Sequence, residues 1–168
     1  MPKTALSIFI VALVLATLQG CYSFTGSSLP AHLKTIAIPV FEDRSGAGIA
    51  QFRGEITSAL ANKIEAQSAL RLTPSMARAD ALLEGTIISF ADAPSQLSSK
   101  TGRAMTNRVT LVVQVRMVDR VKKKPIFDQS FVGFSDYRTG NYNAQQEALR
   151  HCVGLIVDQI FDQVVSGW

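Results

Sequence analysis

Chemistry in a chain of this size needs a nucleophile beside a base, a cluster of metal ligands, or charges gathered on one surface. The first two are poorly served. Gly133-Phe134-Ser135-Asp136-Tyr137 opens like a nucleophile elbow, but it lacks the second glycine and ends a strand with no helix behind it. His151 and Cys152 are neighbours on an expected helix and point to different faces, so they cannot share a metal, and His32 lies in a polar segment remote from both. Cys152 falls beside an apolar stripe and reads as a small core residue rather than a reactive thiol. Asp158 and Asp162 share a helix face, where a solvated acidic surface is the simpler account than a general acid and base. No catalytic residue, metal site or cofactor follows, and the chain is not expected to be an enzyme.

Charge is the remaining chemistry. The run Lys122-Lys123-Lys124 stands at an expected hairpin tip, and Lys100 and Arg103 lie in a polar stretch, Ala91 to Thr106. Ammonium and guanidinium groups suit phosphate, so these five positions are the candidates for an anionic ligand. A charged turn can also be merely solvated, and a polar connection that long is either functional or disordered. The whole chain carries 17 Lys and Arg against 13 Asp and Glu. That balance is mildly basic and gives no reason to expect nucleic acid.

Cys21 has a role of its own. Behind Met1, Pro2, Lys3 and Thr4, residues Ala5 to Leu18 form an apolar run of about fourteen residues, enough for a signal-peptide core and short of the roughly twenty that span a bilayer. Leu18-Gln19-Gly20-Cys21 resembles the bacterial lipobox, in which the chain is cut before the cysteine and the cysteine is acylated. The expectation is a signal peptide over 1–20, a lipidated tether over 21–33, and a folded domain over 34–168. Diacylglycerol and an N-acyl chain on Cys21 would hold the protein durably, since each buried methylene contributes about 0.8 kcal/mol. Tyr22 stands where inner-membrane retention would call for Asp, which implies the outer membrane, facing the periplasm. With Cys21 used, Cys152 is the other cysteine of the chain, so no intrachain disulfide is expected.

The elements that must position these residues are legible in the patterning. Tyr22 to Leu33 is small and polar with Gly and Pro, as a tether requires. Thr35 to Phe41 alternates, with Pro39 suggesting an edge strand or a bulge. Ile49, Phe52, Ile56, Leu60 and Ile64 draw one stripe down a helix from Gly48 to Gln67. A short strand is expected over Ala69 to Thr73, and longer ones over Ala81 to Phe90 and Asn107 to Val118. In the last of these Val109, Leu111, Val113, Val115 and Met117 face inward, and Arg108, Thr110, Val112, Gln114, Arg116 and Val118 outward. Two valines on an outward face suggest a covering partner, or cover by other parts of the chain. Asp119 to Lys124 reverses the chain into a strand over Pro125 to Phe134. Asn143 reads as the N-cap of a final helix to Val165, with Gln146 at N3 and a stripe of Leu149, Val153, Ile156, Ile160 and Val164. Strand, helix, three or four strands, helix is an α+β layer arrangement.

The lipobox, the segments KTIAIPVFEDRSG, ADALLEGTIISF and NRVTLVVQVRMVD, and a closing helix ending in VVSGW together resemble the lipopolysaccharide-assembly lipoprotein family (LptE-like) over nearly the whole chain. The resemblance implies a mixed four- to five-stranded sheet with two helices packed on one face. It also implies a partner, the outer-membrane β-barrel that inserts lipopolysaccharide. The protein would plug that barrel, assist its assembly and present basic residues to lipopolysaccharide. A second resemblance, carried by IAIPVFEDRSG, is to periplasmic lipoproteins of the curli-secretion or Tol-associated type, which would make the chain an oligomeric or scaffold component.

Overall fold

The computed structural model describes residues 29–48, 50–97, 99, 102 and 104–166, so Cys21, Ile49, Lys100 and Arg103 lie outside the described residues. The first strand breaks at its proline. Thr35–Ala37 forms β1 and Glu42–Asp43 forms β2, both pairing in parallel with β4 (Ala81–Leu97). Pro39 falls in the break. β1 is no edge strand, because β3 (Arg71–Leu72) pairs with its other side in the order β3-β1-β4. The split raises the sheet to six strands, and antiparallel β5 (Ala104–Asp119) and β6 (Lys124–Arg138) complete it.

The period-two pattern of β5 is realised: Val109, Leu111, Val113, Val115 and Met117 are all buried. They meet Ala81, Leu83 and Ile87 of β4 on one side and Phe127 and Phe131 of β6 on the other. The helices α1 (Ala50–Gln67) and α2 (Tyr142–Ser166) cover this face. α1 inserts Phe52, Ile56, Leu60 and Ile64, and α2 inserts Leu149, Cys152, Val153, Ile156, Ile160 and Val164. Each fully buried aliphatic side chain stabilises the fold by about 1.5–3 kcal/mol, so this shared layer dominates stability. Between the helices, Lys63 reaches Asp158 at 2.5 Å and lies over the Phe161 ring at 5.0 Å.

Close approach explains two glycines. A Cβ on Gly133 would sit 2.6 Å from the Cys152 carbonyl oxygen, so α2 rests directly on the backbone of β6. A Cβ on Gly85 would enter the ring of Phe41, which is buried over it.

Two expectations need correction. Ala91 to Thr106 is largely strand: β4 continues to Leu97 and β5 begins at Ala104. Beyond Phe90 the β4 side chains are exposed apart from half-buried Asp92, so the sequence shows no alternation although the backbone pairs. β2 meets β4 only at Thr86 and Ile87, which leaves that side of β4 open and lets Pro94 sit there without a backbone N–H. The last helix is capped by Asn141, whose Oδ1 accepts the Ala144 N–H at 3.0 Å, and Asn143 lies inside the helix.

Candidate functional site: a basic sheet end and an open sheet face

Strand register brings distant cations to one end of the sheet. Arg71 pairs with Thr35, Ile36 with Ala81, Ala81 with Asp119, and Asp119 with Lys124. Lys34, Arg71, Arg120, Lys122, Lys123 and Lys124 therefore lie in a row along one end of the sheet, and all six are exposed. Among the described residues none of them is in an ion pair; Arg120 is engaged through its guanidinium with the Met76 carbonyl.

The two acids at this end are consumed by structure. Asp80 Oδ2 accepts from the Lys34 N–H at 3.0 Å, the Thr35 N–H at 2.9 Å and the Thr35 hydroxyl at 2.9 Å. These donors, the Lys34 N–H first, hold its carboxyl below its ordinary range. Asp119 is buried, and burial alone would raise its pKa. The Lys122 N–H at 2.8 Å and His32 Nε2 at 2.6 Å outweigh that and lower it. The same Lys122 contact closes the tip, where Lys123 takes a left-handed conformation, φ 55°.

His32 thus belongs to the folded domain, as does Leu33, which is buried in the core. Pro30 and His32 line a cavity of about 350 Å³ with Asp119, Lys122 and Lys124. The chain leading back to Cys21 departs from this basic end.

Lys122, Lys123 and Lys124 stand together at the β5–β6 tip, but they do not share a surface with the segment that holds Lys100 and Arg103. That segment joins Leu97 to Ala104 at the far end of β5, whose sixteen residues separate the two tips by about 50 Å.

Among the described residues, no helix or strand packs on the sheet face opposite the helices. On it Arg108 makes two bonds to Asp136, at 2.9 and 2.8 Å, and lies 4.8 Å over the exposed Phe134 ring. The pairing with Arg108 holds the Asp136 carboxyl low. Val112 pairs with exposed Val132, and Val118 with Leu82 and Pro125, so the outward valines lie in two apolar patches separated by the polar rows of Gln114 and Arg116. A cavity of about 380 Å³ opens on the same face beside Glu42, Arg44, Glu84, Arg116 and Asp128.

A polar cluster joins the far half of the sheet to α2. Tyr137 Oη donates to Asp92 Oδ2 at 2.6 Å, Gln145 Nε2 to the same oxygen at 2.6 Å, and Asn107 Nδ2 to Asp92 Oδ1 at 3.2 Å. Its members satisfy one another, which makes it a clamp on the start of α2. The strand expected from the sequence stops at Phe134, whereas β6 runs on to Arg138 and so carries Tyr137 into this cluster.

The remaining candidates are dispersed. Cys152 is buried with its thiol on the Val109 carbonyl oxygen, and burial pushes its pKa up to about 11, while His151 is exposed. Asp158 serves the contact with Lys63, and Ser135 and Asp136 lie within β6. Among the described residues no three His, Cys, Asp or Glu side chains gather as a metal site would require.

Comparison with known proteins agrees with this architecture. A hypothetical protein from Chlamydia trachomatis superimposes with a TM-score of 0.55 at 14% identity, over 80% of this chain and 95% of its own. A protein from Xanthomonas campestris gives 0.56 at 8%, over 80% and 86%. A minor lipoprotein from Acinetobacter baumannii gives 0.51 at 16%, over 82% and 95%. At such identities the likeness is one of fold. No curated protein sequence matches the chain. The family model described as "LptE: Lipopolysaccharide-assembly" matches residues 33–164, which takes in all six strands, α1 and all but the last two residues of α2, and the chain belongs to that family.

Proposed function

We propose that this protein is an outer-membrane lipoprotein, facing the periplasm, that partners and plugs the lipopolysaccharide-inserting β-barrel and assists its assembly. Diacylglycerol and an N-acyl chain on Cys21 would supply the anchor. The observation that carries the partnership, beside family membership, is the open sheet face. Exposed Val132 and Phe134 and half-buried Val112 and Val118 lie there among paired charges, and no helix or strand of the described chain packs on that face. Exposed apolar residues rimmed by polar ones mark an interaction surface.

Lipopolysaccharide phosphates would meet cations at two separate places, Lys122, Lys123 and Lys124 at one hairpin tip, and Lys100 and Arg103 in the segment that closes the other. The role is binding and positioning, with no reaction step.

Purification of the native protein in mild detergent tests the partnership. A large β-barrel protein should co-purify, and Val132→Glu with Phe134→Glu should release it while the domain stays folded. A monomer, or a ring of identical chains without a barrel, would overturn the reading, and the ring would favour the scaffold alternative.

A further inference from the structure

The anchor and the basic sheet end lie on the same side of the domain. Cys21 precedes Leu29 by eight positions, a span of at most about 29 Å when fully extended. Leu29 already packs on the core, and Pro30 and His32 line one cavity with Lys122 and Lys124. The opposite tip stands about 50 Å away along β5, farther than the tether can reach. An anchored chain therefore keeps its basic end near the membrane plane.

We propose that this end is a membrane-docking face, with Lys34, Arg71, Arg120, Lys122, Lys123 and Lys124 resting on the anionic phospholipid leaflet that holds the Cys21 anchor. The inference rests on the reading of Cys21 as lipidated. It deepens the reading of the hairpin lysines as phosphate ligands by placing them against a bilayer.

Charge and shape both support it. Asp80 and Asp119 stay ionised at this end, with their oxygens held by backbone amides, Thr35 and His32, and the six exposed cations outnumber them, so the end keeps a net positive charge. The cations come from the start of β1, β3, the end of β5 and the β5–β6 tip, and the sheet holds them in one row. Basic groups held beside a lipid anchor act jointly with it, and their attraction to anionic lipid fades within a Debye length. The consequence is a fixed orientation: the long β4–β5 ribbon points away from the leaflet.

The full chain, processed in a bacterial host and reconstituted into vesicles, tests this. Val121, 57% exposed at the basic tip, is replaced by Cys and given a fluorophore; Ser99→Cys reports the opposite tip. Native Cys152 is buried and stays unlabelled. A quencher fixed at headgroup depth should dim the label at 121 more in vesicles containing phosphatidylglycerol than in pure phosphatidylcholine. The label at 99 should be indifferent to lipid composition. Added salt should erase the difference in the otherwise unaltered protein. Charge neutralisation should weaken docking roughly five-fold per cation removed, so K122E/K123E/K124E should abolish the dependence on phosphatidylglycerol.

Equal quenching at 121 in both vesicle types at low salt overturns the docking face. Quenching that appears only when lipopolysaccharide is added to phosphatidylcholine also overturns it and leaves the lipopolysaccharide reading standing. A protein that takes a second label at Cys21 and fails to float with neutral vesicles overturns the anchor reading, and the orientation falls with it.

Discussion

His32 Nε2 lies 2.6 Å from Asp119 Oδ2, a contact between residues 87 positions apart. It ties the segment just ahead of β1 to the end of β5, and Asp119 in turn accepts the Lys122 N–H that closes the lysine-bearing tip. One buried carboxylate therefore fixes both the segment ahead of β1 and how the lysines are presented.

Replacing Asp119 with Ala should cost about 1–3 kcal/mol, because it strands the Lys122 N–H and the His32 donor. Urea denaturation should show a lower midpoint at unchanged slope. The pH dependence has a definite sign. Asp119 and Asp80 both have carboxyls below the ordinary value of 3.8, so the stability they contribute is complete above that value and is lost as pH falls through their lower, folded values. Wild-type stability should thus decline below about pH 4, and Asp119→Asn should flatten the decline. An identical acid limb in the variant would refute the assignment.

Gly133→Ala should destabilise the protein although alanine suits a strand better. The added methyl would stand 2.6 Å from the Cys152 carbonyl oxygen, so α2 must lift from β6. Overpacking of this kind costs about 1–3 kcal/mol. Thermal unfolding should report it, and an unchanged Tm would show that the helix seats more loosely on the strand.

Cys152 should resist thiol reagents at neutral pH in the folded protein and react once the chain is unfolded. It is buried, and its thiol pKa is raised from 9.0 to about 11. The raised value also means that stability is undiminished below pH 9 and falls as pH rises through 9 towards 11. Rapid labelling of native protein at pH 7 would contradict the burial.

Changing Lys122, Lys123 and Lys124 together to Glu should weaken binding of purified lipopolysaccharide and leave thermal stability nearly unaltered, since all three side chains are exposed. Each exposed contact contributes within about 1 kcal/mol, so the loss should need all three changes and should shrink in high salt. Calorimetric titration at two ionic strengths would measure it. Equal binding by the triple variant at low salt would make this run a solvated turn.

Much of the fold was written in local pattern. The alternation of Val109 to Met117, the stripes Phe52 to Ile64 and Leu149 to Val164, and the reversal at Asp119 to Lys124 each reflect one buried face, and burial leaves a period that can be read from sequence. Cys152 was legible as core for the same reason. The outer half of β4 was not, because beyond Phe90 its side chains are exposed apart from half-buried Asp92, and a strand with both faces largely in water satisfies its backbone without demanding any side-chain period. The choice of Asn141 over Asn143 as cap was likewise open locally and was settled by where α2 docks.

The candidate surface was legible only in part. The lysine run at 122–124 is local, but its neighbours Lys34, Arg71 and Arg120 are contributed by other strand ends and meet it solely through register. Lys100 and Arg103 looked equivalent to that run as charges, and the extension of β5 sets their segment at the opposite end. Residue types determine which groups can hold phosphate. Strand pairing over long sequence separations decides which of them share a surface, because hydrogen-bonded register fixes distance in a way that composition cannot.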